Sequence, residues 1–276
     1  MDWNLLTIRS CIMHALLILL DSMKVHILHQ GYLRARAIEM IKGLRERDIR
    51  LKYGVDPGGY IRLSLNGLLL IKEDRIVIID PGCADFLPAR IMKEYGLEVT
   101  ESIESILLKK GVEAGQVTDV VFTHLHFDHG SGAFKREPGK ISKRFPNARY
   151  HVLKEHFEYA SRPHPSESNS FFTLFFKYID NVSWLEDWSK DWMKFRIFNG
   201  HTRGMAIPEI QLGQEKIFFL SDLLPMEVFL QKEVYSGYDL DPELARFEKL
   251  EFLSGISESS KLILFHDPLT DSLYYP

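Results

Sequence analysis

The chain has 276 residues, of which 45% are hydrophobic and 26% are charged, a composition typical of a globular protein with a sizeable core. The formal net charge of −4 and the lack of long basic runs argue against a nucleic-acid partner. Two cysteines, Cys11 and Cys83, lie far apart in different settings. They predict no disulfide framework and favour a reducing compartment, so the expected location is cytoplasmic.

Residues 1–22 are expected to form an N-terminal extension of uncertain role, ahead of a single domain at 23–276. The apolar run at 11–20 resembles the core of a signal peptide but is too short to span a bilayer. His14 interrupts the run and no small-residue cleavage motif follows it, so a packed or frayed helix is favoured over export. A third interpretation is that the natural chain starts at Met23.

Apolar runs predict strands along the rest of the chain, bounded by glycine, proline and polar turns. The predicted strands are 23–30, 60–71, 75–79, 117–123, 149–153, 194–198, 206–212, 216–220 and 262–265. Helical spacing predicts helices over 32–50, 99–110, 154–160 and the strongly aromatic stretch 171–192. Two groups of strands with helices between them predict an α/β fold with two sheets packed face to face and helices outside.

Most of the predicted chemistry lies in one segment, residues 123–129, whose sequence is Thr-His-Leu-His-Phe-Asp-His at the end of a predicted strand. Residues two apart in extended chain project to the same side, so His124 and His126 can bind one metal ion. Asp128 and His129, after the chain turns, can face a neighbouring ion. A solvated loop with chance histidines is the alternative. It is disfavoured because so dense a cluster has little structural purpose without metal.

Three further polar residues stand at the ends of predicted strands, namely His201, Asp222 and His266. Any one of them alone is more often a hydrogen-bonded or exposed side chain. Together with the first cluster they make five imidazoles and two carboxylates, a donor set suited to Zn²⁺, with iron or manganese as alternatives. Two such ions would lower the pKa of bound water from about 15.7 towards 7 and polarise a scissile carbonyl or phosphoryl oxygen.

This pattern resembles the HxHxDH motif of the metallo-β-lactamase superfamily, in the branch that includes acyl-homoserine lactonases and glyoxalase II. The similarity extends from about residue 60 to residue 267. It implies a four-layer αβ/βα sandwich, with two mixed β-sheets flanked by helices and the metals at the loop ends. The implied ligands are His124, His126 and His201 for one ion, Asp128, His129 and His266 for the second, and Asp222 as the bridge.

The resemblance also implies a reaction, which is hydrolysis of an ester, lactone or related small-molecule bond by a metal-bridging hydroxide, with Asp128 accepting the proton. Asp80 matches an aspartate that orients the metal loop, and Asn66 resembles the asparagine before the hairpin. Two positions depart from relatives of known substrate. Asp222 stands where class B β-lactamases have cysteine, and Pro225 stands where the closest homoserine-lactone hydrolases have a tyrosine that contacts the substrate.

The aromatic stretch 171–192 is most simply part of the core or of a subunit interface. Its functional interpretation is an apolar wall over the site, with Phe127, Phe171 and Phe175 contacting substrate and Arg203 contacting an anionic group. The expected partners are a small-molecule substrate and, in a homodimer, a second copy of the chain, with no nucleic acid and no membrane span. Two other functions stay open: a mononuclear iron enzyme of the persulfide dioxygenase kind, and a non-catalytic binding protein whose metal only holds the loops.

Overall fold

The structure is a computed structural model that describes residues 23–179, 182–188 and 190–275, so the predicted N-terminal extension lies outside the described residues. The helices in that part of the chain are α1 (Ala37–Met40), α2 (Glu46–Tyr53), α3 (Ala89–Glu94), α4 (Ile103–Leu108), α5 (Phe127–Gly130), α6 (Lys154–Ser161) and α7 (Pro242–Ser254). Short 3-10 turns include Pro165–Glu167, Thr173–Tyr178 and Leu185–Asp187. None of the helices in the described ranges is long and apolar enough to cross a membrane.

The strands form two main sheets and one separate hairpin. They are β1 (Lys24–Arg36), β2 (Tyr60–Lys72), β3 (Arg75–Ile79), β4 (Glu98–Val99), β5 (Asp119–Val121), β6 (Phe134–Glu137), β7 (Lys140–Lys143), β8 (Arg149–Val152), β9 (Val182–Trp184), β10 (Met193–Phe198), β11 (Met205–Leu212), β12 (Glu215–Phe219), β13 (Lys261–Ile263) and β14 (Ser272–Tyr274). The first sheet has the order β4-β1-β2-β3-β5-β8-β9 and the second β10-β11-β12-β13-β14, while β6 pairs with β7.

Both main sheets are mixed. In the first, β1 to β3 pair antiparallel, and β3, β5, β8 and β9 pair parallel. In the second, only β12 and β13 pair parallel. The middle of β2 is buried continuously from Leu63 to Leu70, as expected for a strand covered on both faces. This confirms the predicted α/β class with mixed sheets flanked by helices.

The two sheets meet where the predicted site residues lie. The backbone N–H of Ser64 in β2 donates to the carbonyl of His266, just beyond β13, at 3.0 Å. The N–H of Ala206 in β11 donates to the carbonyl of Thr123, just beyond β5, at 2.9 Å. These bonds bring the ends of strands from both sheets to one place.

The helix predicted over 32–50 is wrong in its first part, because β1 continues to Arg36, which pairs with Tyr60 of β2. Leu33 and Ala35 are buried while their neighbours along the strand are more exposed, which is the two-residue period of a strand. Two short helices, α1 and α2, follow. The helix predicted over 99–110 is shortened to α4, because the chain before it pairs with β1 as β4.

The single helix predicted over 171–192 is also wrong. The chain there forms a 3-10 turn, then β9 beside β8, then a second 3-10 turn. Its aromatic rings pack in different directions. Phe175 stacks on Phe134 with ring centres 5.2 Å apart, and Trp188 stacks on His151 at 4.5 Å. Rings that fill separate gaps in the core do not need one continuous helical face.

Candidate metal centre and its cavity

The histidine segment is held in place by Asp80, which follows β3. Its carboxylate accepts hydrogen bonds from the N–H of Thr123 at 2.8 Å and from the Thr123 hydroxyl at 2.6 Å, and it lies 2.9 Å from Nδ1 of His129. Asp80 is fully buried with a φ of 47°, a region that few non-glycine residues adopt. Ser221, next to Asp222 after β12, has a similar φ of 45°. The backbone therefore adopts a positive φ angle at two strand ends beside the site.

Gly132 explains how the segment turns away beneath the site. A Cβ at this position would lie 2.3 Å from the carbonyl oxygen of Pro81, so only glycine permits this approach of the two loops. The Gly132 N–H donates to the carbonyl of Gly82 at 2.8 Å, which fastens the loops together.

Asp222 lies at the centre of the predicted ligand set. Its Oδ2 atom is 3.1 Å from Nε2 of His201 and 3.4 Å from Nε2 of His129, and its Oδ1 atom is 3.4 Å from Nε2 of His266. Nε2 of His124 lies 3.9 Å from Oδ2, and Asp128 Oδ2 lies 3.5 Å from Nε2 of His266. The structure thus brings together side chains that are up to 142 positions apart in sequence (from His124 to His266).

The potential metal-ligating atoms form groups within 4.8 Å of one another: His124, His126, His201 and Asp222; Asp128, His129 and His266; and Asp80, His124 and His129. In the third group, the Asp80 oxygens already accept hydrogen bonds from Thr123. Among the described residues, Nε2 of His124, Nε2 of His129 and Oδ1 of Asp222 are buried without a hydrogen-bond partner. Converging orphan lone pairs of this kind are satisfied by a cation, so the residues fit a metal centre.

Four of the imidazoles turn Nε2 towards Asp222 and have a partner for the outward Nδ1 atom. Nδ1 of His124 lies 3.0 Å from Thr123 Oγ1, and Nδ1 of His129 lies 2.9 Å from Asp80 Oδ2. Nδ1 of His201 lies 2.9 Å from Asp239 Oδ1, and Nδ1 of His266 lies 2.9 Å from the Ser64 carbonyl oxygen. A hydrogen bond to the outward nitrogen sets the orientation of the ring and leaves the inward nitrogen able to act as a ligand.

Charges at the centre alter several pKa values. Burial lowers the pKa of His124 well below its usual value, and the neighbouring His129 lowers it further, so the His124 ring is neutral. Burial opposes charge on His201, but the carboxylates of Asp222 and Asp239 outweigh this and raise its pKa to about 10. Burial would raise the pKa of Asp222, yet the surrounding imidazoles hold it well below its usual range. Asp222 is therefore an anion at the centre.

A cavity of about 240 Å³ opens above this centre, and its floor is lined by Asp128, Asp222, His126, His201 and His266. One wall is mainly apolar and consists of Leu33, Ala35, Met40, Leu63, Tyr95 and Phe127. The lining also includes residues 236–240 and Ser166, Glu167 and Ser170. A mostly apolar pocket with a few convergent polar groups is typical of a small-molecule site.

The predicted substrate contacts are placed differently from one another. Phe127 lines the cavity, whereas Phe171 packs behind the site with its ring centre 4.7 Å from that of His126. Phe175 is buried against Phe134, and Arg203 is exposed, with its guanidinium 5.5 Å from the ring centre of Tyr159. Phe171, Phe175 and Arg203 do not line the cavity, so its apolar wall comes from β1, β2 and the side chains of Met40, Tyr95 and Phe127 instead of the aromatic stretch.

Sequence reasoning missed two buried carboxylates of the site, Asp239 and Glu167. Asp239 lies in irregular chain and Glu167 in the 3-10 turn Pro165–Glu167, so neither stands at the end of a strand, and neither is part of a recognisable motif. It also treated His156 as simply structural or exposed. His156 is buried, accepts the Leu125 N–H at 2.8 Å, and lies 2.6 Å from the Arg203 carbonyl oxygen, so it supports the segment between the two motif histidines.

Comparison with known proteins places this geometry in a family. A family model of the metallo-beta-lactamase superfamily matches residues 62–208. No curated protein matches the chain. A probable metal-dependent hydrolase from Staphylococcus aureus has a similar structure, with a TM-score of 0.82, 19% identity and 93% of each chain covered.

Two further structures are similar. AidC, a dizinc quorum-quenching lactonase in complex with its N-hexanoyl-L-homoserine product, has a TM-score of 0.74 and 22% identity, over 92% of this chain and 91% of AidC. The hydrolase AbOPH has a TM-score of 0.72 and 20% identity, over 92% and 90%. At these identities the likeness shows the shared fold. The family match covers more than half of the chain, and the protein therefore belongs to the metallo-beta-lactamase superfamily.

Proposed function

We propose that this protein is a hydrolase that holds two divalent metal ions, expected to be zinc, and cleaves an ester or lactone bond in a small molecule with an apolar acyl part. The observation that carries the proposal is the set of buried, unpartnered nitrogen and oxygen atoms that converge on the floor of an apolar-walled cavity. Nitrogen and carboxylate donors without a thiolate suit zinc, and iron and manganese are the alternatives.

The proposed ligands divide into two sets that share Asp222. His124, His126 and His201 would hold one ion, and Asp128, His129 and His266 the other. Asp222 would lie between the ions, because its two oxygens reach imidazoles of both sets. Asp80 would orient His129 without binding metal, because the Asp80 carboxylate is already hydrogen-bonded to Thr123 and lies 2.9 Å from Nδ1 of His129.

When bound, such ions supply Lewis acidity and a water acidic enough to attack at neutral pH. The side chains contribute the rest. Asp128 faces the cavity, where its carboxylate can take up the proton released during attack and pass it to the leaving oxygen. Leu33, Leu63 and Phe127 exclude water from one side of the substrate, which strengthens electrostatic interactions at the floor.

The acyl part of the substrate is inferred from the cavity wall. Leu33, Ala35 and Leu63 belong to β1 and β2, so they offer a rigid apolar surface to a hydrocarbon chain. The similar structure of AidC holds an N-hexanoyl-L-homoserine product, which supports an acylated substrate as the first class to assay.

The test combines elemental analysis with hydrolysis assays of the purified protein. We expect about two zinc ions per chain and turnover of at least one lactone or acyl ester. A chelator should abolish turnover and added zinc should restore it. The assay includes thioesters, aryl esters and phosphodiesters, which cover other bonds that such a centre could cleave.

Three results would contradict the proposal. Hydrolysis that survives complete removal of metal would exclude a metal-dependent reaction. About one iron per chain with oxygen uptake would favour a mononuclear iron dioxygenase. A fully metal-loaded protein that turns over none of the substrates would favour a non-catalytic binding role.

A further inference from the structure

His126 presents a different ring nitrogen to the centre from the other four histidines. Its Nδ1 atom lies 3.2 Å from Nε2 of His201, whereas the other rings turn Nε2 inward. The Nε2 atom of His126 points away from the centre, where it is buried and has no hydrogen-bond partner among the described residues. Its ring orientation therefore lacks the support that Thr123, Asp80, Asp239 and Ser64 give the other histidines.

Glu167 faces this unsupported nitrogen. Its Oε2 atom lies 3.5 Å from Nε2 of His126, and it is likewise buried without a hydrogen-bond partner in the described part of the chain. The whole side chain is only 5% exposed. A movement of about half an ångström would bring the two atoms to hydrogen-bond distance. The two atoms are thus placed so that a hydrogen bond between them would satisfy both.

The position of Glu167 is itself constrained. It closes the 3-10 turn Pro165–Glu167, and the hydroxyl of Tyr159 donates a hydrogen bond to its other oxygen, Oε1. The His164 N–H donates to the same hydroxyl at 3.1 Å. The loop is also fastened to the metal segment, because the Phe127 N–H donates to the carbonyl of Ser170 at 2.8 Å.

We propose that Glu167 is a positioning residue that accepts a hydrogen bond from Nε2 of His126 and so keeps the lone pair of Nδ1 directed at the metal centre. An imidazole that donates from one nitrogen offers the other as a ligand, and loss of such a partner lowers metal affinity by about 10- to 100-fold. The inference rests on the proposed function, because it concerns the same metal ions. It adds a residue from the loop at 163–170, which also lines the cavity.

The experiment compares three variants of the full-length protein: Glu167→Ala, Tyr159→Phe and, as a control, Glu155→Ala. Tyr159→Phe removes the loop contact but leaves the carboxylate beside His126. Glu155 is an exposed carboxylate on α6. The measurements are zinc affinity by competition with a chromophoric chelator, the visible spectrum of the Co²⁺-loaded protein, and urea unfolding of the metal-free protein.

We expect Glu167→Ala to lower zinc affinity by about 10- to 100-fold and to change the Co²⁺ spectrum. Tyr159→Phe should stay within about threefold of the wild type, and Glu155→Ala should match it. Equal zinc affinity and unchanged spectra in Glu167→Ala would overturn the inference, whatever happens to unfolding. Equal losses in Glu167→Ala and Tyr159→Phe would also overturn it, because they would assign Glu167 a loop-packing role. A wild-type protein that binds no metal would overturn the proposed function and this inference together.

Discussion

The floor and the apolar wall of the cavity are built in different ways. On the floor, Nδ1 atoms of four imidazoles have partners within about 3 Å, contributed by separate elements of the fold. The wall consists of Leu33, Ala35, Leu63 and other side chains that only pack. A polar atom on the floor depends on the position of its partner to within a fraction of an ångström, whereas an apolar contact tolerates small changes. Changes to the floor should therefore alter the chemistry, and changes to the wall should alter selectivity.

The largest effect is expected from Asp222→Ala, because this carboxylate lies between imidazoles of both proposed ligand sets. We expect kcat/KM to fall by about a thousandfold or more and the metal content to drop. Elemental analysis and hydrolysis assays measure both. Asp74→Ala, in the exposed turn between β2 and β3, is the matched control. Asp222→Ala protein with wild-type metal content and activity would show that Asp222 is not the bridging ligand.

A smaller effect on the floor is expected from Asp239→Asn. The carboxylate lies 2.9 Å from Nδ1 of His201, and an amide can present an N–H to that nitrogen instead of an acceptor. We expect zinc affinity to fall by about 10- to 100-fold, measured by chelator competition. Urea unfolding of the metal-free variant controls for the hydrogen bond that Asp239 also accepts from the Ser236 N–H. Unchanged affinity would mean that His201 needs no orienting partner.

The smallest of the three effects is expected on the wall. Ala35→Leu replaces a methyl group beside the cavity with an isobutyl group, so kcat/KM for a long-chain acyl substrate should fall by about tenfold while that for an acetyl substrate changes little. Metal content should stay the same. Arg203→Gln is the control, because Arg203 is exposed and outside the cavity, and its kinetics should match the wild type. Equal losses for both chain lengths in Ala35→Leu would refute the assignment of this wall to the acyl part.

Much of the fold could be predicted because its signals are local. The strand β3 has the bounds 75–79 that its apolar run predicts, and α6 differs by one residue from the prediction for 154–160. The failures occurred where the local pattern was ambiguous and tertiary contacts decided the structure. The arginines and apolar residues in 32–50 fit the period of a helix as well as that of a strand. Pairing with β2 selected the strand as far as Arg36. Aromatic residues in 171–192 have helical spacing, yet their rings fill gaps on different sides of the chain.

The seven proposed metal ligands stand out in the sequence because histidine and aspartate are uncommon at the ends of buried apolar strands, and such strand ends can be recognised from the sequence. The sequence by itself thus determined which residue types could form the centre and in which superfamily to look for relatives. Only the tertiary structure decided that Asp239 and Glu167 lie beside His201 and His126, and that β1 supplies the cavity wall. The reason is physical. His201 and Asp239 are 38 positions apart and His126 and Glu167 are 41 apart, and the cavity wall combines residues from different elements. No local pattern of polarity encodes contacts over such separations.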